Sequence, residues 1–124
     1  MEEIMIVAVS ATAPSLDAAV DPRFGRAACF IMVNPATMDF QVIENKQNLN
    51  APQGAGIQAA ALVAGGKPSA VLTGHCGPKA FHTLQAAGIP VVLGVAGVVK
   101  DAVRKFSEGK YQPSANPDVE GHWV

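Results

Sequence analysis

The residues best suited to chemistry lie in one short turn between two apolar segments. The sequence Gly74-His75-Cys76-Gly77 places an imidazole beside a thiol, and Pro78 follows directly. Proline is favoured at the first position of a helix, where no backbone donor is needed, so a helix is predicted to begin here. A helix N-terminus presents backbone N–H groups and partial positive charge, which favour anions. The turn could therefore bind an anion, or could bind a soft metal through His75 or Cys76.

The glycines of this turn are expected to adopt backbone conformations that other residues avoid. Backbone donors at the start of the helix would then face any bound anion. The candidate binding residues of the turn are Gly74, Gly77, Pro78 and Lys79, in addition to the candidate metal ligands His75 and Cys76.

A second group of candidates lies in the long segment 10–28. Arg23 and Arg26 flank Phe24-Gly25, and Pro14 and Pro22 predict that the segment is irregular. Alone, the two arginines would be ordinary surface cations. The predicted fold brings this segment close to the Gly74–Gly77 turn, where both arginines could help to bind an anion.

Several catalytic interpretations of the thiol fit the sequence poorly. A thiol phosphatase requires an arginine six residues after the cysteine, but here that residue is His82. A nucleophilic Cys76 activated by His75 stays open as a third interpretation, although no carboxylate or amide is evident to orient the imidazole. Cys29 lies in an apolar segment, as a core residue would, and two cysteines cannot supply the four thiolates of an ordinary iron–sulfur cluster.

Phosphate and nucleotide motifs are also missing or misplaced. No P-loop sequence is present, and the glycines at 54 and 56 follow a polar loop instead of a strand. Residues 4–10 contain no carboxylate that could hold catalytic metal ions, which argues against nuclease activity.

Composition indicates one globular domain. The chain has 124 residues, of which 49% are hydrophobic and 15% are charged. We assign residues 1–110 to a single domain that binds a ligand and residues 111–124 to a C-terminal tail. The net charge of −1 gives no footprint for nucleic acid, and no apolar run approaches the ~20 residues of a membrane span. Two cysteines form no disulfide framework, so a cytoplasmic location is expected.

Hydrophobic patterning predicts the element order β-β-β-α-β-α-β-α. The strands are expected at 4–9, 29–33, 40–43, 70–72 and 90–93, and the helices at 53 or 54–64, 78–87 and 98–108. The second and third strands should form an antiparallel hairpin, and helical crossovers make the later strands parallel. The expected fold is α/β, a five-stranded mixed sheet between helices of the ribonuclease H-like type. Its ligand crevice should lie among the loops 10–28, 74–77 and 94–97.

Three sequence blocks carry a resemblance to a known family. They are Asp21-Pro22-Arg23-Phe24-Gly25-Arg26-Ala27, Gly54-Ala55-Gly56-Ile57-Gln58-Ala59-Ala60 and Thr73-Gly74-His75-Cys76-Gly77-Pro78-Lys79-Ala80-Phe81. Together they resemble the dinitrogenase iron–molybdenum cofactor biosynthesis family, also called nitrogenase accessory factor-like proteins. Within that family the chain is most similar to the orange-protein type, which holds a molybdenum–copper–sulfide cluster.

The resemblance implies a small carrier or chaperone, not an enzyme, that binds a preassembled metal–sulfur cluster. The cluster would be of the Mo–Cu–S or Fe–Mo–S type. Such clusters are anionic, so Arg23 and Arg26 would offset their charge, while Phe24 and Ile57 could contact soft sulfides. Many relatives lack a cysteine at the position of Cys76, so ligation by this thiol is not a rule of the family.

A different class of function stays open beside the carrier. The chain could be a metal-free regulatory or scaffold module that binds an ATPase or a cofactor-assembly enzyme. The helix at 54–64 is apolar nearly all round, which favours cover on more than one side, and a second subunit could supply it. The sequence leaves monomer and dimer open.

Overall fold

A computed structural model describes residues 5–45 and 54–114. The predicted order of eight elements is confirmed. The strands are β1 (Val7–Ala11), β2 (Cys29–Val33), β3 (Phe40–Glu44), β4 (Ala70–Leu72) and β5 (Val91–Val92). The helices are α1 (Ala55–Gly65), α2 (Pro78–Ala86) and α3 (Val99–Ser107).

The five strands form one mixed sheet in the order β3-β2-β1-β4-β5. The hairpin of β2 and β3 is antiparallel, and β2 also pairs antiparallel with β1. β4 is parallel to β1, and β5 is parallel to β4. The mixed sheet predicted from the sequence is therefore confirmed. The carboxyl ends of β1, β4 and β5 all lie at one edge of the sheet, called here the upper edge.

Apolar residues cover both faces of the sheet. α1 and α2 pack on one face, where Phe30, Val71, Phe81 and Leu84 are completely or almost completely buried. α3 packs on the other face against residues that include Val9, Ile31 and Leu72. Continuous apolar runs such as β1 and β2 are buried on both sides, as expected for central strands. The small residues Ala59 and Ala60 let α1 pack closely, because neither side chain is exposed.

Three strands have bounds that differ from the prediction, and β3 differs only by including Glu44. β1 covers Val7–Ala11 instead of 4–9; Ile4 lies outside the described residues, as does Gln53 before α1. β1 continues through the polar Ser10 because its side chain is hydrogen bonded inside the protein. β5 contains only Val91 and Val92, although the flanking Pro90 carbonyl still accepts a hydrogen bond from the Val71 N–H at 2.9 Å.

The first residues of the predicted tail contact the sheet. The Ser114 N–H donates a hydrogen bond to the Val91 carbonyl at 2.7 Å, and its hydroxyl accepts one from the Leu93 N–H at 3.3 Å. Tyr111 packs against the α3 face. These contacts attach residues 111–114 beside β5. His122 and Trp123 lie outside the described residues.

The longest helix in the two described ranges is α1, with 11 residues. A helix of this length is too short to cross the hydrocarbon core of a membrane.

Candidate functional site

The arginine-containing loop (residues 21–27) and the glycine turn (residues 74–77) lie side by side at the upper edge. Arg23 and His75 form an isolated parallel bridge. The His75 N–H donates to the Pro22 carbonyl at 2.8 Å, and the Phe24 N–H donates to the His75 carbonyl at 3.1 Å. The predicted juxtaposition of the two segments is confirmed. These two backbone hydrogen bonds make the loop and the turn one continuous surface.

Close approach of two backbones explains the glycine at position 74. A Cβ atom at this position would lie 2.7 Å from the Pro22 Cα and 2.9 Å from the Pro22 carbonyl oxygen. Real Cβ atoms do not approach backbone atoms so closely, and neither of these atoms can move without moving the loop. Gly74 is thus required by packing against the loop, whereas a special backbone angle was expected.

Gly77 requires a correction of the same kind. It is the N-cap residue of α2, with φ −72° and ψ 167°, an extended conformation that any residue can adopt. The expectation that Gly77 supplies an unusual backbone angle was therefore wrong. Pro78 occupies the start of the helix as predicted. The first turn of α2 contains no acidic residue, so the partial positive charge at this end is not offset from within the helix.

The N-terminus of α1 lies at the same edge. The residues that follow α1 return to the beginning of β1, where the Ser69 N–H donates to the Ile6 carbonyl at 2.6 Å. The last turn of α1 therefore lies at the lower edge, and its first turn lies at the upper edge. This first turn contains no acidic residue, and the N-cap Gly54 makes no side-chain hydrogen bond. Ile57, in the first turn, is 41% exposed.

Positive side chains outnumber negative ones around the arginine-containing loop and the first turn of α2, among the residues that the structure describes; farther along the same edge, Lys100 and Asp17 form an ion pair at 2.7 Å. Arg23, Arg26 and Lys79 carry positive charge, against the carboxylates of Asp21 and Glu44. The Arg23 side chain is 55% exposed and its Nε lies 4.0 Å from the Asp21 carboxylate. Asp21 is itself almost buried, and its carboxylate accepts a hydrogen bond from the Arg23 N–H at 3.0 Å. Asp21 thus fixes the backbone of the loop and leaves the Arg23 guanidinium accessible to solvent.

Two candidate residues lie in the core instead of on the surface. Phe24 is 1% exposed, and its ring packs against Phe30 with 5.0 Å between the ring centroids. Cys76 is also 1% exposed and belongs to the apolar cluster beneath α1 and α2. Sequence reasoning placed both at the surface of a ligand site because it could not tell which side of a loop residue would face inward. In contrast, His75 is exposed.

Cys29 is a core residue, as the sequence predicts. Cys29 is 3% exposed, and burial, followed by the charges of Glu44 and Asp21, raises the pKa of its thiol, which therefore stays protonated at neutral pH. His82 is exposed on α2. Within residues 5–45 and 54–114, no group of three or more His, Cys, Asp or Glu side chains is arranged to hold a metal ion.

Comparison with known proteins identifies the family. The family model described as "Dinitrogenase iron-molybdenum cofactor" matches residues 5–109, which is most of the chain. The chain belongs to this family.

Solved structures of similar proteins agree with that assignment. The apo form of the orange protein from Desulfovibrio gigas is 42% identical, with a TM-score of 0.90 over 96% of this chain and 100% of that one. A Thermotoga protein provisionally named NifB is 28% identical, with a TM-score of 0.79 over 94% of this chain and 99% of that one. An uncharacterized protein of Methanocaldococcus jannaschii is 29% identical over 96 residues, covering 75% of this chain and 80% of its own.

Three polar residues at the upper edge of this family member were not identified as candidates from the sequence. Ser10, Thr73 and Asn45 are completely buried. The Asn45 side-chain amide donates to the carbonyls of Gly25 and Ala27, at 3.3 and 2.9 Å, and so attaches the end of β3 to the arginine-containing loop. The position of Asn45 directly after a strand could have indicated its role, because asparagine side chains often form hydrogen bonds with backbone groups in loops. Ser10 and Thr73 gave no such signal, since their partners are distant in sequence.

Proposed function

We propose that the protein is a small cytoplasmic carrier or chaperone for a preassembled anionic metal–sulfur cluster, and that it is not an enzyme. The cluster is of the Mo–Cu–S or Fe–Mo–S type and is carried for cofactor biosynthesis or delivery. The observation behind this proposal is that one edge of the sheet combines an arginine-containing loop, the glycine turn and the N-termini of two helices. We also propose that the fold is of the ribonuclease H-like type. Residues 1–110 form the cluster-binding domain in this proposal, and residues 111–124 form a C-terminal tail.

An anion fits this edge better than a cation does. Arg23, Arg26 and Lys79 supply positive charge, and helix N-termini favour anions by about 0.3–1 kcal/mol when exposed and up to ~2 kcal/mol when partly buried. The start of α2 adds backbone donors, and the exposed side chain of Ile57, in the first turn of α1, can contact sulfide. The name of the family, which includes the iron–molybdenum cofactor, supports a cluster over a simple anion such as phosphate.

We propose His75, in preference to Cys76, as the direct metal ligand. The imidazole is exposed beside Arg23, whereas the thiol is buried among apolar side chains. An imidazole is an ordinary ligand for copper or iron. Phe24 supports the loop from below and does not contact the cluster. Charge and backbone donors therefore contribute more to binding than the Cys76 thiol does, and Ile57 and His75 add contacts to sulfide and metal.

The proposal is tested by titrating the anaerobically purified protein with tetrathiomolybdate, with and without Cu(I), and following visible absorption and bound metal. We expect saturable uptake with a spectral change in the presence of both components. Molybdate is the matched control, because it has the same charge and shape without sulfide, and it should bind much more weakly. A protein that binds neither tetrathiomolybdate with copper nor an iron–molybdenum cofactor contradicts the carrier function.

A second candidate function rests on the opposite edge of the sheet. An open pocket of about 360 Å³ lies there, and Phe40 in its lining is 42% exposed. Its lining combines apolar and polar side chains: Ile6, Met32, Phe40, Ile43, Asn34, Asp39 and Gln41. Such a surface favours a scaffold that binds a cofactor-assembly enzyme or an ATPase. If the protein carries no metal, Phe40→Ser should abolish that association while the titration with thiomolybdate shows no binding in either variant.

Replacing Cys76 with alanine should leave most of the cluster binding intact. The thiol is 1% exposed in the core cluster beneath α1 and α2, so it is not placed to ligate a cluster at the surface. We expect a cluster affinity within about threefold of the native value, together with a loss of stability of roughly 1–2 kcal/mol from the smaller side chain. The titration above and thermal unfolding measure the two effects. Complete loss of binding in a folded Cys76→Ala variant would instead make this thiolate the principal ligand.

A further inference from the structure

Two buried hydroxyl groups meet directly below the arginine-containing loop. Ser10, in β1, and Thr73, which follows β4, are both 0% exposed. Their side-chain oxygens lie 2.8 Å apart. They stand opposite one another because β1 and β4 are parallel, with Val9 beside Leu72 one residue earlier. The Ser10 oxygen also lies 2.7 Å from the Asp21 carbonyl oxygen, to which it donates its single proton, so Thr73 donates to Ser10.

Packing alone does not account for these hydroxyls. The residues before them on the same face, Ala8 and Val71, are apolar and completely buried. Alanine and valine would fill the two positions with no polar group to satisfy, and burying a hydroxyl has a cost unless it is hydrogen bonded. What the hydroxyls provide in return is a defined partner for the Asp21 carbonyl.

Asp21 is the residue that passes this constraint to the loop. The Asp21 N–H donates to the Ser10 carbonyl at 2.9 Å, and the Asp21 carbonyl accepts from the Ser10 hydroxyl. Both backbone polar groups of Asp21 are therefore hydrogen bonded to Ser10. The Asp21 carboxylate then accepts the Arg23 N–H at 3.0 Å. Between them, Pro22 presents its carbonyl to the His75 N–H. A shift at Asp21 would thus move the Arg23 backbone and change both contacts with the glycine turn.

We propose that Ser10 and Thr73 are positioning residues for the cluster site, which hold Arg23 against the glycine turn without contacting the cluster. The inference rests on the proposed function, since Arg23 is the group through which the two hydroxyls act. They fix the backbone position from which the Arg23 side chain extends. Less conformational entropy is therefore lost when Arg23 binds an anion.

Ser10→Ala tests the proposal, because it removes the bond to Asp21 and the partner of Thr73 together. We expect affinity for tetrathiomolybdate with Cu(I) to fall roughly tenfold. Thr73→Val should give a smaller loss, and Thr73→Ser, which keeps the hydroxyl, should restore native affinity. Val9→Ala is the matched control: it removes packing from the same strand at a completely buried position, and it should lower thermal stability while affinity stays native.

A double-mutant cycle separates positioning from general loss of stability. If Ser10 acts through Arg23, then Ser10→Ala should change affinity little in a protein that already carries Arg23→Gln. Additive losses, or a loss that Thr73→Ser fails to restore, would overturn the proposal. So would an equal loss of affinity in Val9→Ala.

Amide hydrogen exchange decides the question without any cluster. In Ser10→Ala, exchange should accelerate at the His75 and Phe24 amides, which join the loop to the turn, while amides of the central strands keep their native protection. If exchange instead rises equally throughout the protein, the hydroxyls serve only global stability and the positioning role is wrong. A wild-type protein that binds neither tetrathiomolybdate with Cu(I) nor an iron–molybdenum cofactor refutes the proposed function, and local acceleration would still support the positioning of the loop.

Discussion

Replacing both Arg23 and Arg26 with glutamine should weaken the binding of tetrathiomolybdate by roughly two- to thirtyfold at low salt. The two guanidinium groups lie on the loop that borders the glycine turn, and the Arg23 side chain is 55% exposed. An exposed charge pair contributes about 0.2–1 kcal/mol, and a divalent anion would contact two such groups. Glutamine keeps much of the side-chain length and polarity, so the variant isolates the charge. The measurement is the same absorption titration, repeated at several ionic strengths.

The matched control is a double variant on the outer surface of α3, Arg104→Gln with Lys105→Gln. Both residues are exposed, and α3 covers the opposite face of the sheet. This control changes the net charge of the protein by the same amount. At physiological ionic strength its affinity should stay close to native, because charges separated by more than the Debye length of ~8 Å are then largely screened.

Salt provides a second readout of the same pair of variants. Native affinity should fall as salt is added, and the variant without Arg23 and Arg26 should show a flatter dependence. If the folded arginine variant binds as tightly as the native protein at low salt, the two arginines are ordinary surface cations. The positive charge of the site would then come from Lys79 and the helix N-termini alone.

The sequence predicted the strands and helices well where one physical signal dominates. Apolar runs such as Cys29–Val33 are long enough to identify buried strands, and Pro78 marks the start of α2. The neighbouring positions of the arginine-containing loop and the glycine turn also followed from the order of the elements, since loops after parallel strands share one edge of the sheet.

The details of the site depend on contacts between distant residues, which local pattern does not reveal. Ser10 was excluded from β1 because it is polar, yet its partners Asp21 and Thr73 make it fully compatible with a buried strand. Phe24 and Cys76 were expected to face a ligand and are instead core residues. A loop residue carries no periodicity, so its orientation is decided by tertiary packing alone.

The two glycines of the turn show the same limit. The sequence predicted the same role for Gly74 and Gly77, which was to adopt backbone conformations that other residues avoid. The structure distinguishes them, because Gly77 has an extended backbone that any residue can adopt, whereas Gly74 faces the Pro22 backbone with no room for a Cβ atom. The two positions should therefore respond differently to the same substitution.

Gly74→Ala should both destabilise the protein and remove most of its cluster binding. The added Cβ would lie 2.7 Å from the Pro22 Cα, so the loop must move away from the turn or the core must deform. Overpacking of this kind costs roughly 1–3 kcal/mol. Displacement of Pro22 would also break the bond from the His75 N–H and carry Arg23 away from the site. Thermal unfolding and the thiomolybdate titration measure the two losses.

Gly65→Ala is the matched control, because a Cβ atom at this last residue of α1 would have no neighbour within 4 Å. Since alanine is favoured over glycine in a helix, this variant should be as stable as the native protein or more stable, by up to about 1 kcal/mol, with native affinity. Gly77→Ala should cost less than Gly74→Ala because the backbone there is extended, although alanine is a poorer N-cap residue than glycine. If Gly74→Ala binds normally while Gly77→Ala does not, the arginine-containing loop is not held by the contact between Pro22 and Gly74, and the N-cap of α2 is the more sensitive part of the site.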